Sequence, residues 1–339
     1  MATVNIRARS IRARSIRARS IRARSIRARR CARAGAVLRT SLAAALLMGA
    51  ATATLTGAAR QPSPAFPVQA AFSPSGPYAT TTGTVTDGTA VYDLYYPSSY
   101  AALGFQSPIV TWGNGTGGSP ARVSVLLRHL ASYGFTVIAS TLPNTGSGHE
   151  IDAAAHYLVT QDGVPASVFH GHLNVSEVAA VGTSQGATGA VRAGTSDPAL
   201  IKTVMTFSLP NPVWAAPNPD CPTAADCTAS PAALTRPAFF VSTHGFWDSI
   251  IASPATEEGF FTSVAVHAAL GIISDSDGKA ADHASIEDPA YGGNPGGFLG
   301  YATAWLEYQL RGNVIAAGAF TGTHPELLAN HNWPGSAVK

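Results

Sequence analysis

The first 59 residues contain no aspartate or glutamate, although they hold 13 of the 22 Lys+Arg, and the whole chain of 339 residues has only three cysteines. Within that acid-free segment Ile-Arg-Ala-Arg-Ser recurs from Ile6 with a period of five, ending as Ile26-Arg-Ala-Arg-Arg30. A five-residue period matches neither a helical stripe nor strand alternation, which excludes a buried face. An arginine-rich arm for nucleic acid is one reading; a long basic region ahead of an export signal, or a repeat expansion before the true start, is the preferred one. Thr40 to Ala59 lacks charge and contains Leu42-Ala-Ala-Ala-Leu-Leu-Met48 before the small residues Gly57-Ala58-Ala59. Its Ala, Thr and Gly content is poor for spanning about 30 Å of hydrocarbon, so a secretory signal peptide is expected rather than a retained anchor. Arg29-Arg30 lacks the hydrophobic pair of a twin-arginine signal, and Cys31 precedes the apolar run, where a lipoprotein cysteine would not stand.

Without residues 1–59, 9 Lys+Arg remain of the 22 against 19 Asp+Glu, so the balance moves from +3 to about −10. An acidic protein argues against a nucleic-acid partner. Only Cys221 and Cys227 then remain. Two cysteines alone do not make a zinc site, and an even pair in an exported chain reads as a disulfide, contributing roughly 2 kcal/mol through so short a loop.

Residues 60–79, rich in Pro, Ser and Ala, read as a linker, and residues 80–339 as one domain. Strands are expected at Ala90–Tyr96, Pro108–Trp112, Phe135–Ser140, Val178–Thr183, Val204–Leu209, Ala238–Thr243 and His267–Ile273. Ser119-Pro120 can start a helix whose Val123, Leu126, Leu127 and Leu130 share a face and which Gly134 stops. Ser147 and Glu150 form a capping-box pair before Ile151, Ala154 and Leu158, and Leu299, Ala302, Leu306 and Leu310 make a stripe closed by Gly312. Strand and helix in alternation predict an α/β fold, a mostly parallel sheet covered on both faces.

Gly182-Thr183-Ser184-Gln185-Gly186 follows the run Val178-Ala179-Ala180-Val181 and opens into small residues. A serine hydroxyl attacks an acyl carbon only when it is exposed and paired with a base, and a sharp strand-to-helix turn flanked by glycines exposes it. On such a sheet the reacting groups gather at the carboxyl ends of the strands. His283, between the last long strand and the last amphipathic helix, is the expected base. Asp248, just after the Ala238–Thr243 strand, is the expected acid, preferred over Asp275, Asp277 and Asp282. Asp275 and Asp277 make only part of a calcium loop, so no metal is assigned. The glycine-rich loop Trp112-Gly-Asn-Gly-Thr-Gly-Gly118 is the candidate oxyanion loop, with the Asn114 amide leading, Gly115 and Thr116 as neighbours in reserve, and the Gln185 amide as second donor. Since the base acts neutral, activity is expected to fall on acidification through roughly pH 6.5.

With these residues the chain resembles the α/β-hydrolase superfamily and, within it, the bacterial cutinase-like polyester hydrolases, including poly(ethylene terephthalate) hydrolases, which are dienelactone-hydrolase-related. The resemblance covers Gly76 to Gly312 with one insertion. It rests on Leu130-Ala-Ser-Tyr-Gly-Phe-Thr-Val-Ile138, the elbow, Asp248-Ser249-Ile250 and Thr303-Ala304-Trp305-Leu306. It implies the triad Ser184, His283 and Asp248, and matches Trp214 to an aromatic that stacks on substrate. Thr183, Gln185 and Asn114 depart from the family's usual aromatic, methionine and aromatic. The stretch Pro210–Arg236 lacks a helical stripe, so no lid is expected, only an open cleft edged by Trp112, Trp214, Phe246 and Trp247. The resulting expectation is a secreted, cofactor-free, monomeric ester hydrolase acting on short-chain or polyester-like substrates, without stable membrane insertion. A peptidase, a thioesterase and a non-catalytic binding protein on the same scaffold are the alternatives.

Overall fold

The structure, a computed structural model, describes residues 65–214, 221, 223–276, 279–287 and 297–339, with backbone alone at Ala224, Asp275, Ser276, Lys279 and Ala280. The leader, Cys31 and Asp277 lie outside the described residues.

Long runs of Val, Ile, Ala and Phe build a sheet that is apolar on both sides. β1 (Thr80–Asp87), β2 (Ala90–Pro97), β3 (Ser107–Gly113), β4 (Thr136–Ser140), β5 (Leu173–Thr183), β6 (Ile201–Phe207), β7 (Ala238–Thr243) and β8 (Ala268–Ile273) are followed by a small hairpin of β9 (Asp275–Ser276) and β10 (Lys279–Ala280), and by β11 (Ala337–Val338). The nine-stranded sheet has the order β1-β2-β4-β3-β5-β6-β7-β8-β11. β4, β3, β5, β6, β7 and β8 run parallel, while β1, β2 and β11 join antiparallel at the edges. Successive side chains of a strand point to opposite faces. Ala179, Val181, Met205, Phe239 and Val241 accordingly enter one core, with Leu126, Leu127 and Trp305. Val178, Ala180, Val204, Ala238 and Phe240 enter the other, with Ile151, Leu158 and Val191. This is the α/β architecture expected from the alternating pattern.

The helices are α1 (Pro67–Phe72), α2 (Ser124–Ser132), α3 (His149–Asp162), α4 (Gln185–Ser196), α5 (Phe246–Ile251), α6 (Pro254–Ser263), α7 (Phe298–Arg311), α8 (Val314–Ala317) and α9 (Glu326–Ala329). Gly134 and Gly312, at φ 99° and 61°, end α2 and α7 in the left-handed conformation that favours glycine. Gly148, at φ 84°, occupies the N-cap position of α3, one residue after Ser147, whose hydroxyl donates to Glu150 Oε2 at 3.0 Å and accepts the first-turn amide of His149 at 3.3 Å.

The edge strands β1 and β11, the β9–β10 hairpin and the helices α1, α5, α6, α8 and α9 were not anticipated. β1, with five Thr and Val85 as its one apolar residue, is recognisable only through its pairing with β2. The supposed linker contains α1, whose Val68 and Gln69 amides donate to the Glu326 carboxylate at 2.6 and 2.8 Å. Tyr301 donates to the same carboxylate at 3.0 Å, so residues 67–72 are bound into the fold. No helix among the described residues is long and apolar enough to cross a membrane.

Candidate active site

The strand β5 ends at Thr183 and α4 starts at Gln185, leaving one residue to reverse the chain. Ser184 makes the reversal at φ 53° and ψ −124°, a backbone conformation that costs a non-glycine residue about 1–3 kcal/mol. The flanking glycines are there for space. A Cβ at Gly182 would collide with the Gly186 carbonyl, and one at Gly186 with the Gly113 and Asn114 carbonyls. A larger residue at Gly182 would push α4 from β5, and one at Gly186 would push α4 from the end of β3.

Ser184 and His283 lie 99 residues apart, and the fold brings their side chains together: Ser184 Oγ and His283 Nε2 are 2.9 Å apart. His283 Nδ1 is 2.7 Å from Asp248 Oδ1. Since the carboxylate accepts, Nδ1 carries the proton in that contact and Nε2 is left to accept from the serine. Asp248 is fully buried in the first turn of α5. Its other oxygen, Oδ2, accepts from Thr243 Oγ1 at 2.7 Å, Ser208 Oγ at 2.9 Å and the Thr243 amide at 3.0 Å. A buried carboxylate with its lone pairs met in this way has a fixed orientation. Asp282 accepts backbone amides rather than meeting the imidazole, and only the backbone of Asp275 is described.

A cleft of about 360 Å³ opens over Ser184, lined by Gly115, Thr116, Thr183, Gln185, Trp214 and Ile251 among others. Arg122 and Glu287 form a 2.8 Å ion pair on its wall, which no sequence pattern indicates because the partners lie in two short 3-10 turns far apart along the chain. Trp214 is half exposed in the lining, its indole N–H donating to the Ile250 carbonyl at 3.0 Å.

Three expectations are corrected. Trp112 does not edge the cleft: it is 0% exposed in the core, its indole N–H donating to Asn114 Oδ1 at 3.1 Å. β3 is a central strand with helices on both faces, so an aromatic at its end becomes core. Phe246 and Trp247 are exposed, but they pack edge-on against each other and neither lines the cleft. Asn114 does not line the cleft, and its side-chain amide donates to the Ser140 and Leu142 carbonyls at 2.6 and 2.9 Å, while its backbone amide, the expected donor, has no acceptor among the described residues. Gly115 and Thr116 line the cleft, and their amides likewise donate to no acceptor among the described residues. A Cβ on Gly115 would stand 3.2 Å from that of Ser184, so the loop backbone approaches the serine closely at that residue.

Beneath the acid lies Glu257, fully buried in α6, with Oε1 accepting the Leu209 amide at 2.7 Å. Burial, and then the nearby charge of Asp248, push its carboxyl well above the usual range. Cys221 and Cys227 are joined as the sequence suggested, with Cα atoms 5.5 Å apart. Among the described residues Asp152, His156 and Asp197, on α3 and after α4, could together face a metal ion; they do not line the cleft. Neither the models of known protein families nor the curated proteins include a match to this chain.

Proposed function

We propose that this chain is a secreted serine hydrolase of the α/β-hydrolase class, cleaving carboxylic esters through an acyl-enzyme. The observation that carries the reading is the continuous contact Ser184 Oγ, His283 Nε2, His283 Nδ1, Asp248 Oδ1, at 2.9 and 2.7 Å, opening on a cleft. Partial exposure of His283, 19%, beside a fully buried acid suits a base that meets substrate and an acid that does not.

His283 Nε2 takes the Ser184 proton as Oγ bonds to the ester carbon. The carbonyl electron pair moves onto oxygen, facing the amides of Gln185 and of Gly115 or Thr116; each such donor typically contributes about 3 kcal/mol to lowering the barrier. As the tetrahedral intermediate collapses, the C–O bond to the alcohol breaks and His283 returns the proton to the leaving oxygen. Water, deprotonated by the same nitrogen, then attacks the acyl-enzyme and releases the carboxylic acid and Ser184. Trp214 and Ile251 supply an apolar wall for the acyl or alcohol chain, and the Arg122–Glu287 pair a polar one. A cleft this small favours short-chain esters or single segments of a polymer.

The test is hydrolysis of p-nitrophenyl acetate, butyrate and palmitate by the full chain beside Ser184→Ala. Short-chain turnover that disappears in the variant supports the proposal, and polyester films become the next substrate. A folded chain that neither turns over these esters nor takes a fluorophosphonate label would overturn it.

A further inference from the structure

Asp282, adjoining the base, makes no contact with the imidazole, yet its Oδ1 accepts three backbone amides: Trp247 at 2.8 Å, Asp248 at 3.1 Å and His283 at 2.8 Å. Two of these belong to the acid and the base. The Asp282 turn is itself held, with its amide donating to Ser285 Oγ at 2.7 Å and its carbonyl accepting from the Ser285 amide at 2.8 Å. Gly245 leaves the necessary room, since a Cβ there would run into Asp282 Oδ1 and the Ala281 carbonyl. We infer that Asp282 is a positioning residue that fastens the base-bearing loop to the start of α5 and so sets the His283–Asp248 distance. The inference rests on the serine-hydrolase reading above. A charged acceptor sharing amides from both loops resists their separation more than either loop's own turn could, and misplacement by about 1 Å can cost about 100-fold in rate.

The test compares Asp282→Asn and Asp282→Ala in the full chain. It reads kcat and KM on p-nitrophenyl butyrate, and by proton NMR the downfield imidazole N–H signal of the His283–Asp248 bond. Asparagine keeps an oxygen acceptor in place, so kcat should stay within about threefold and the signal persist. Alanine leaves the three amides without it, so kcat should fall about 10- to 100-fold with KM little changed, and the signal should broaden or vanish. A folded alanine variant with wild-type kcat and signal would overturn the inference, as would an asparagine variant that falls as far as alanine. If the alanine variant does not fold, Gly245→Ala, which displaces the carboxylate without removing it, should show the same losses, and unchanged values there would equally overturn it. A wild-type chain that is inactive yet shows the downfield signal, lost in Asp282→Ala, would sink the ester reading and leave the positioning intact.

Discussion

Ser184 and Ser208 end adjacent strands of one sheet, and they are the two non-glycine residues with positive φ among the described residues, at 53° and 52°. Their uses differ. At Ser184 the reversed backbone lifts the hydroxyl into the cleft beside an imidazole. At Ser208 the hydroxyl points into the interior, where it donates to Asp248 Oδ2. Neighbouring chain decides which outcome follows. Next to Ser184 the chain continues into α4 against close-packed glycines, whereas next to Ser208 the Leu209 amide is taken by buried Glu257. A positive φ can therefore accompany a hydroxyl presented to a cleft at one strand end and the fixing of a charge at the next.

That contrast is broken most severely by Ser184→Ala, which should reduce kcat for ester hydrolysis about 10⁶-fold while leaving thermal stability nearly unchanged. Asp248→Asn comes next. An amide cannot accept through the atom it turns into a donor, and steady-state kinetics should show about a 10⁴-fold loss in kcat with a small change in KM. Ser208→Ala removes one of the donors on Oδ2 and leaves the Thr243 pair, so a loss of about tenfold in kcat and about 1 kcal/mol in denaturant unfolding is expected. A Ser208→Ala loss as large as that of Ser184→Ala would abolish the distinction between the two strand ends.

The smallest effect concerns pH. Glu257 has its carboxyl pKa raised by burial and then by the charge of Asp248. The folded state thus holds a proton that the unfolded chain releases above the ordinary carboxylate range. Stability from this group is fully present below the unfolded value and declines as pH rises toward the folded one. Melting temperature followed from about pH 5 to about pH 9 should fall less in Glu257→Gln than in the wild type. His129 acts with the opposite sign. Burial lowers its pKa to about 4, so its contribution is present above the ordinary imidazole value and is lost on acidification toward that figure.

Much of the site was legible because its chemistry is local. Gly182-Thr-Ser-Gln-Gly186 encodes the elbow in five residues, and Asp248 and His283 follow strands whose apolar runs mark them from sequence alone. The aromatics were less readable. Trp112 and Trp247 are as bulky and apolar as Trp214, but a strand between two helical layers buries the first and a short surface helix carries the second away from the cleft. The side chain of Asn114 was not readable either: its amide group donates to the carbonyls of Ser140, the last residue of β4, and of Leu142, although β4 is a neighbour of this loop only in three dimensions. α1 escaped notice since its six residues show no stripe and depend on Glu326, more than 250 positions away.

By itself the sequence determined the alternation of strand and helix, the place of the strained turn and the residue types able to act as nucleophile, base and acid. Periodicity and glycine placement act over a few residues, and so can be read along the chain. Only the tertiary structure decided which oxygen meets which nitrogen, which loop amides face the serine, and that Asp282 serves backbone rather than imidazole. Those outcomes depend on distances of about 3 Å between segments up to 99 residues apart, which the packing of two helical layers on one twisted sheet establishes.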